Sequence, residues 1–309
     1  MSDILYPQWE PAGESASSPD DAYFASPHWI NAVAALGARC WTRRGDEGGR
    51  RLFVFARGPL RVGFPGFPVG WGGSTAALGK LPERVDLLRW NFSMLDAPPP
   101  DAATGRIVLL PESVIPSLGS WPVRNAKRLA KDMAFSRRQA VAVEPALEAH
   151  AAAIHEIYRA TVSRHGGALR YNREYFVRLL GEGEGRTLLK ASVATVGDAH
   201  ALAGFCIAVA DRGRGYYLHG GVDPSFRARG VSDLLLDGAI AWARDAGCRD
   251  FTLMASPADQ PGLAGFKRKW SERDGAWTTV DVASSAVGRL VLGATRFVDA
   301  IKGPPGPPR

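Results

Sequence analysis

The sequence has few cysteines and no long apolar run, and both shortages narrow the kind of protein it encodes. Three cysteines, Cys40, Cys206 and Cys248, lie far apart among the 309 residues, so they form neither a metal-ligand spacing nor a disulfide framework. No apolar stretch approaches the roughly 20 residues that cross a bilayer. The acidic, polar start lacks the pattern of a secretion signal. A cytoplasmic protein is therefore expected.

Motifs of several enzyme classes are also missing. The sequence has no Walker turn, no dinucleotide-binding fingerprint and no close cluster of histidine, cysteine and acidic residues with ligand spacing. Gly119-Ser120-Trp121 approaches a nucleophile elbow but lacks its second glycine. We therefore expect chemistry that uses no metal.

The composition is that of a soluble globular protein, with 46% hydrophobic and 22% charged residues. The length suits two domains of ordinary size. A net charge of +7 and a pI near 9.5 favour an anionic partner such as coenzyme A, tRNA, or a phosphorylated lipid or nucleotide, although ordinary surface charge accounts for an excess of this size equally well.

The stretch 216–247 predicts a strand, a turn and a helix. Tyr216 to His219 has strand character, and apolar residues recur at helical spacing from Val231 onward. A helix N-terminus carries unpaired N–H groups and the positive end of the helix dipole, which suit a diphosphate. Gly230 allows close approach, Ser232 is small and carries a hydroxyl, and Arg227 and Arg229 add charge. The alternative is an ordinary surface turn before a core helix.

This turn resembles the acyl-coenzyme A signature of the GNAT acyltransferase superfamily, Arg/Gln-x-x-Gly-x-Gly/Ala. Arg227 and Gly230 match it, and Ser232 takes the last position. The resemblance implies that a backbone amide near Val222 receives the carbonyl of an acyl donor. It also implies that the diphosphate lies on the amides from Arg229 through Val231 to Ser232.

A second stretch, 261–270, resembles the Gly-Leu…Phe-Lys-x-x-Trp segment of Fem-like proteins, two-domain relatives of GNAT enzymes. The resemblance covers most of residues 22–282 and implies an α/β (α+β) protein of two GNAT-like domains. Each is a mixed, mainly antiparallel sheet flanked by helices, and the N-terminal domain is degenerate. We divide the chain into a lead-in (1–21), the N-terminal domain (22–142), the C-terminal acyltransferase domain (143–283) and a tail (284–309).

Three residues are candidates for catalysis. The resemblance places Lys267 where many relatives carry a proton-donating tyrosine, and Fem-like proteins carry a functional lysine there; the alternatives are a surface lysine or a phosphate contact. His219 lies three residues before Val222, and its ordinary pKa near 6.5 suits a general base, although a lone strand histidine is more often structural. Tyr171, together with Glu174, is a candidate for the acceptor site.

Two further helical segments carry charge. Arg124, Lys127, Arg128 and Lys131 form a basic stripe within 121–140, which is either a solvated face or a phosphate-contacting ridge. The segment 284–302 has an apolar stripe with flanking basic residues, suited to a membrane surface or to the protein's own sheet. A shorter helical pattern is predicted over 83–89. Ser26 is predicted to cap a helix that begins at Pro27, Tyr175 is predicted to lie on the buried face of a second helix, and a strand is predicted over 250–255.

Three functions follow from these features. The first is an N-acyltransferase that moves an acetyl or acyl group from acyl-coenzyme A to a small-molecule or peptide amine by direct attack. The alternative is a Fem-type aminoacyl or peptidyl transfer from aminoacyl-tRNA. The third is a catalytically silent binding module. The coenzyme A turn is better kept here than in the tRNA-using Fem-like enzymes, and the long coiled-coil arm that some of them carry is missing. Both differences favour acyl-coenzyme A as the donor. DNA is not an expected partner, and the acceptor, acyl-chain length and oligomeric state stay open.

Overall fold

A computed structural model of the chain describes residues 9–12, 20–44, 49–72, 75–96, 105–119, 126–138, 141–164, 168–197, 201–257, 260–271 and 273–302. Within those ranges the side chains of 75–76, 126, 227–229 and 296–302 are not described. The predicted ligand contacts of the Arg227 and Arg229 side chains therefore lie outside the described part of the chain, as does Arg124.

Strands and helices are labelled in chain order. The strands are β1 (Trp9–Pro11), β2 (Ala38–Arg43), β3 (Arg51–Arg57), β4 (Leu60–Pro65), β5 (Leu87–Phe92), β6 (Arg106–Ile115), β7 (Val141–Pro145), β8 (Leu189–Val196), β9 (Ala201–Asp211), β10 (Arg214–Val222), β11 (Asp250–Ala255) and β12 (Arg273–Ala283). The α-helices are α1 (Pro27–Ala34), α2 (Thr75–Leu78), α3 (Ala126–Arg138), α4 (Ala151–Arg164), α5 (Arg173–Leu180), α6 (Val231–Asp245), α7 (Pro261–Trp270) and α8 (Ala286–Lys302). The protein is thus a mixed α/β structure, as predicted.

The chain forms two compact units, and each draws on separate stretches of sequence. The first comprises Met1–Ala12, Gly37–Leu109 and Thr278–Arg309, and the second comprises Gly13–Leu36 and Leu110–Trp277. These boundaries differ from the contiguous ranges 22–142 and 143–283. The interpretation of 22–142 as a degenerate repeat of the C-terminal fold stays a prediction.

The first unit is built on strands in the order β1-β2-β3-β4-β5-β12, in which β4 and β5 are parallel and the other neighbours are antiparallel. Its core contains Leu52, Trp90 and Val280. The predicted helix over 83–89 is wrong, because the second half of that range belongs to β5. Leu88, Trp90 and Phe92 are all buried there, and this alternation is the pattern of a strand.

The helix α8 covers part of the first unit. Leu292 is buried together with Val62 and Leu87, and a Cβ at Gly288 would lie 1.9 Å from the carbonyl oxygen of Asp86. The helix therefore packs on its own unit, one of the two predicted outcomes. On its other side Val287 and Leu290 are exposed. Contact between the segment 284–302 and a membrane surface stays a prediction.

The second unit is built on strands in the order β6-β11-β10-β9-β8-β7. Only the pair β10–β11 is parallel, and the others are antiparallel. The strand β9 is buried on both faces: Cys206 and Ala208 join a cluster with Leu235 of α6, whereas the ring of Phe205 lies 6.2 Å from that of Phe176 in α5. This explains the nearly continuous apolar run in its sequence.

The local signals of the second unit are confirmed. Ser26 caps α1 by accepting a hydrogen bond from the N–H of Trp29, with Pro27 in the first position. The predicted strand at 250–255 is β11, and the predicted helix after Gly230 is α6. Cys40, Cys206 and Cys248 are free thiols.

Candidate active site

The strands β10 and β11 lie side by side for only part of their length. Their parallel pairing joins Arg214 to Asp250 and ends with Tyr216 and Thr252, although β10 continues to Val222 and stays paired with β9. A β-bulge shifts the β9–β10 register between Tyr217 and His219. Because both strands continue after their pairing ends, their facing edges border a gap in the sheet. The predicted site residues lie around this gap.

The predicted turn connects the end of β10 to the start of α6. Gly230 has φ 66° and is the N-cap of α6, and its carbonyl accepts hydrogen bonds from the N–H groups of Asp233 and Leu234. Among the described residues, no acceptor lies within hydrogen-bonding distance of the N–H groups of Val231 and Ser232. Ser232 is partly exposed. Val231 is fully buried, so the start of α6 offers the N–H of Ser232 to an anion.

The corner at Gly230 is filled by α3. A Cβ at Gly230 would lie 2.3 Å from Oγ of Ser136 and 3.2 Å from the carbonyl oxygen of Asp132. Ser136 is fully buried, and its hydroxyl donates to the carbonyl of Asp132 at 3.0 Å. The glycine is thus required for the packing of α3 against α6 as well as for its positive φ. This is a correction to the prediction that Gly230 leaves its space for a phosphate.

Asp233 joins α6 to α7 beside the same turn. Its carboxylate accepts hydrogen bonds from Nε1 of Trp270 at 3.0 Å and from Nζ of Lys269 at 2.7 Å. Lys269 also pairs with Asp132 of α3 at 2.6 Å. The carboxylate of Asp233 lies in the first turn of α6, where the helix dipole stabilises a negative charge. This network fixes α3, α6 and α7 to one another.

Lys267 is a buried lysine at the end of α7. Only 3% of its surface is exposed, and Nζ donates to the carbonyls of Met254 at 3.1 Å and Ala255 at 2.8 Å. Burial lowers its pKa to about 7, and the charge of Glu112 opposes this shift. The alternative of a surface lysine is therefore wrong. An amine that titrates near neutral pH suits proton transfer, but its catalytic role stays a prediction.

The carbonyls bound by Lys267 belong to an irregular part of β11. The β6–β11 register shifts between Thr252 and Ala255, and Met254 has φ 57°. The hydroxyl of Thr252 donates to buried Glu112 at 2.5 Å and accepts from the N–H of Met254 at 2.9 Å. This conformation is unfavourable for a side chain such as methionine. The surrounding hydrogen bonds of Thr252, Glu112 and Lys267 maintain it.

His219 and Tyr171 meet in a cluster of aromatic rings. Their ring centroids are 4.5 Å apart, and Nε2 of His219 lies 2.8 Å from the hydroxyl of Tyr175. Burial lowers the pKa of His219 to about 3 and raises that of Tyr171 to about 12. A neutral imidazole with so low a pKa is a weak base. The environment of His219 thus supports positioning of Tyr175 more than proton abstraction, and both its role and that of Tyr171 stay predictions.

The burial of His219 has a measurable consequence. Its pKa falls from 6.5 to about 3 in the folded chain, so the unfolded chain binds a proton first as the pH falls below 6.5. We expect the free energy of unfolding to decrease across that window, by up to about 1.4 kcal/mol per pH unit, relative to His219→Gln. Urea denaturation of both proteins from pH 7 to pH 4 measures the difference. Parallel curves would contradict the buried, neutral state.

Residues 123–268 match the family model for the acetyltransferase (GNAT) domain. The chain contains a GNAT acyltransferase domain. That stretch includes Lys267 and the β10–α6 turn, whose sequence predicted a GNAT domain. The chain is an acyltransferase. No curated protein compared with the chain matches it.

Solved structures share the fold of this acyltransferase at low sequence identity. FemX is 11% identical with a TM-score of 0.61, over 92% of this chain and 100% of that chain. The C-terminal domain of a lysylphosphatidylglycerol synthetase from Agrobacterium fabrum, described there as putative, is 12% identical with a TM-score of 0.54, over 91% and 93% of the chains. L-PGS from Bacillus licheniformis is 11% identical with a TM-score of 0.53, over 86% and 91%. These likenesses establish the Fem-like GNAT fold.

Sequence reasoning missed three contributors to the site. Tyr175 was assigned to a buried helix face, but its hydroxyl binds His219. Ser136 fills the corner at Gly230, and Glu112 opposes the lowered pKa of Lys267. In the described ranges no group of histidine, cysteine and acidic residues is arranged to hold a metal ion. Likewise, no helix among those ranges is long and apolar enough to span a membrane.

Proposed function

We propose that this acyltransferase moves an acetyl or longer acyl group from acyl-coenzyme A to an amine. The nitrogen of the amine attacks the thioester carbonyl, the C–N bond forms and the C–S bond breaks. The nitrogen loses a proton, and the coenzyme A thiolate gains one. The observation that supports this donor is the start of α6, where Ser232 is partly exposed and its N–H has no acceptor within the described residues.

The remaining residues are assigned by their surroundings. The end of β10 at Val222 borders the gap between β10 and β11, which suits the acyl carbonyl. Lys267 lies across that gap, bound to β11, and we assign it the proton that the thiolate takes up. Tyr171 precedes α5 and Glu174 lies in its first turn. We assign both to the part of the site that holds the amine acceptor. We keep His219 as the candidate base, although its low pKa weakens that assignment.

A charge placed on the first turn of α6 tests the donor. Ser232→Glu puts a carboxylate beside the diphosphate, and it also favours the helix, because acids stabilise a helix N-terminus. We expect coenzyme A binding to weaken at least about tenfold, which corresponds to roughly 1.4 kcal/mol of repulsion. Isothermal titration calorimetry with coenzyme A and acetyl-coenzyme A measures it.

The matched control is Gly238→Glu. Gly238 lies on the same helix, is exposed, and has open space around an added Cβ. It therefore introduces the same charge away from the turn, and binding should equal that of the unmodified protein. Equal binding by the Ser232→Glu protein, or no binding by the unmodified protein, would contradict the proposed donor.

A Fem-type transfer from aminoacyl-tRNA is the second candidate. Two observations favour it: α3 fills the corner at Gly230, which leaves fewer amides for a diphosphate, and α3 carries exposed basic residues beside that corner. Salt-sensitive binding of tRNA without binding of coenzyme A would favour this candidate. Failure of both donors to bind would contradict both candidates. Mass detection of products from a panel of acyl donors and amines identifies the acceptor.

A further inference from the structure

The helix α3 carries a stripe of exposed side chains that the acyl-transfer site does not use. Arg128, Lys131, Phe135 and Arg138 follow one another at intervals of three and four residues, so they share one face of the helix. All four are exposed; the side chain of Arg128 is 73% exposed and Phe135 is 42% exposed. An aromatic ring exposed between cations has no role in the core. We call these four residues the α3 stripe.

The α3 stripe runs along the edge of the contact between α3 and the donor turn. Asp132 and Ser136, which touch the corner at Gly230, are the chain neighbours of Lys131 and Phe135. The Arg128 end of the stripe borders this contact, because its guanidinium lies 4.0 Å from the carboxylate of Asp132. Lys131 and Phe135 point about 100° around the helix from Asp132 and Ser136. The contact is fixed on both sides, because Lys269 binds Asp132 and Asp233 together.

The charge near the α3 stripe is positive and little compensated. Asp132 is the one acidic residue of α3, and its carboxylate pairs with Lys269 at 2.6 Å, whereas Arg128 is 4.0 Å from it. The helix also carries Lys127, four residues before Lys131 on the same side, and Arg137 on another face. A basic element beside a helix N-terminus raises the local concentration of polyanions.

We infer that the α3 stripe binds the adenosine 3′-phosphate end of acyl-coenzyme A, with Arg128 and Lys131 on the 3′-phosphate and Phe135 against the adenine. This rests on the proposed use of acyl-coenzyme A. The chemistry matches: a base stacks on an exposed aromatic ring, and a phosphomonoester pairs with guanidinium and ammonium groups. A diphosphate at the start of α6 leaves the adenosine end within reach of the neighbouring helix.

Dephospho-coenzyme A, which lacks the 3′-phosphate, tests the phosphate half of the inference. By calorimetry at low salt, we expect the unmodified protein to bind coenzyme A about tenfold more tightly than the dephospho form. Arg128→Gln with Lys131→Gln should abolish that preference and leave the affinity for dephospho-coenzyme A unchanged. Arg137→Gln removes the same kind of charge from the opposite face of α3 and should retain the preference.

Phe135 tests the adenine half. Phe135→Ala should weaken both forms about tenfold, since stacking on an aromatic ring contributes on the order of 1–3 kcal/mol per base. Phe135→Tyr keeps the ring face and should restore binding. Because Phe135 is exposed, neither change threatens the fold, and unchanged circular dichroism confirms this.

The outcomes separate this inference from the proposed donor. If the unmodified protein binds both forms equally and the stripe variants bind as it does, the inference fails while acyl-coenzyme A stands as the donor. If neither form binds, and tRNA binds in a manner that needs Arg128 and Lys131, both proposals are overturned in favour of tRNA. A tenfold preference that only the stripe variants lose supports both.

Discussion

Gly230→Ala is expected to lower the free energy of unfolding by about 2–5 kcal/mol. Part of the loss is the cost of a positive φ, since Gly230 has φ 66° and an L-residue there costs roughly 1–2 kcal/mol. The rest is steric, because the new Cβ would lie 2.3 Å from Oγ of Ser136 and overpacking costs about 1–3 kcal/mol. Urea denaturation at neutral pH measures the change.

A double-mutant cycle separates the two causes. Ser136→Ala removes the clashing hydroxyl, and the remaining Cβ of residue 136 would lie 3.6 Å from the new one, an ordinary contact. The double variant should therefore recover the part of the steric loss that Oγ causes. It keeps the conformational part and the 3.2 Å contact with the carbonyl of Asp132. An additive cycle, with no recovery, would show that α3 does not close this corner. It would also leave the corner open to a phosphate, as the sequence alone suggested.

This cycle matters for function because Gly230 serves two purposes. A bulky residue at 230 would abolish coenzyme A binding through either loss of the fold or blockage of the turn, and the two effects would be indistinguishable. Ser232 lies two residues further along the chain and is partly exposed. The assignment of the donor therefore depends on Ser232→Glu and not on changes at Gly230.

The parts of the fold that the sequence predicts are those encoded locally. The strand–turn–helix around Gly230 was predicted because the strand residues, the glycine and the apolar spacing of α6 all lie within one continuous stretch. The strand at 250–255 is likewise predicted from one continuous stretch of sequence. The helix predicted over 83–89 is wrong because Leu87 and Leu88 fit the spacing of a helix as well as that of a strand. The pairing of β5 with β4 and β12 makes this segment a strand.

The parts of the site that the sequence does not predict are contacts between distant residues. Glu112 and Thr252 are 140 residues apart in the chain, and their hydrogen bond carries no local signature. Helical spacing predicts that Tyr175 lies on a buried face, but the partner of its hydroxyl, His219, belongs to another element. Ser136 belongs to a helix that the sequence marked only for its charges. Each of these contacts forms only in the tertiary fold.

Lys267→Met is expected to change both stability and activity, and pH separates the two effects. The pKa of Lys267 falls from 10.5 in the unfolded chain to about 7 in the fold. Between these values the unfolded chain holds a proton that the folded chain has released. The free energy of unfolding should therefore rise with pH across this window relative to Lys267→Met, by up to about 1.4 kcal/mol per pH unit. Denaturation curves from pH 6 to pH 10 measure it.

For activity, loss of the proton donor should lower kcat by roughly 10²–10⁴-fold. Activity of the unmodified protein should fall as the pH rises through about 7, since only the protonated amine donates. Arg268→Gln removes a positive charge from an exposed position on the same helix, and it should leave the rate and its pH profile unchanged. If Lys267→Met keeps its activity but loses the pH-dependent stability, the buried amine only holds the carbonyls of Met254 and Ala255, and the proton for the thiolate must come from another group.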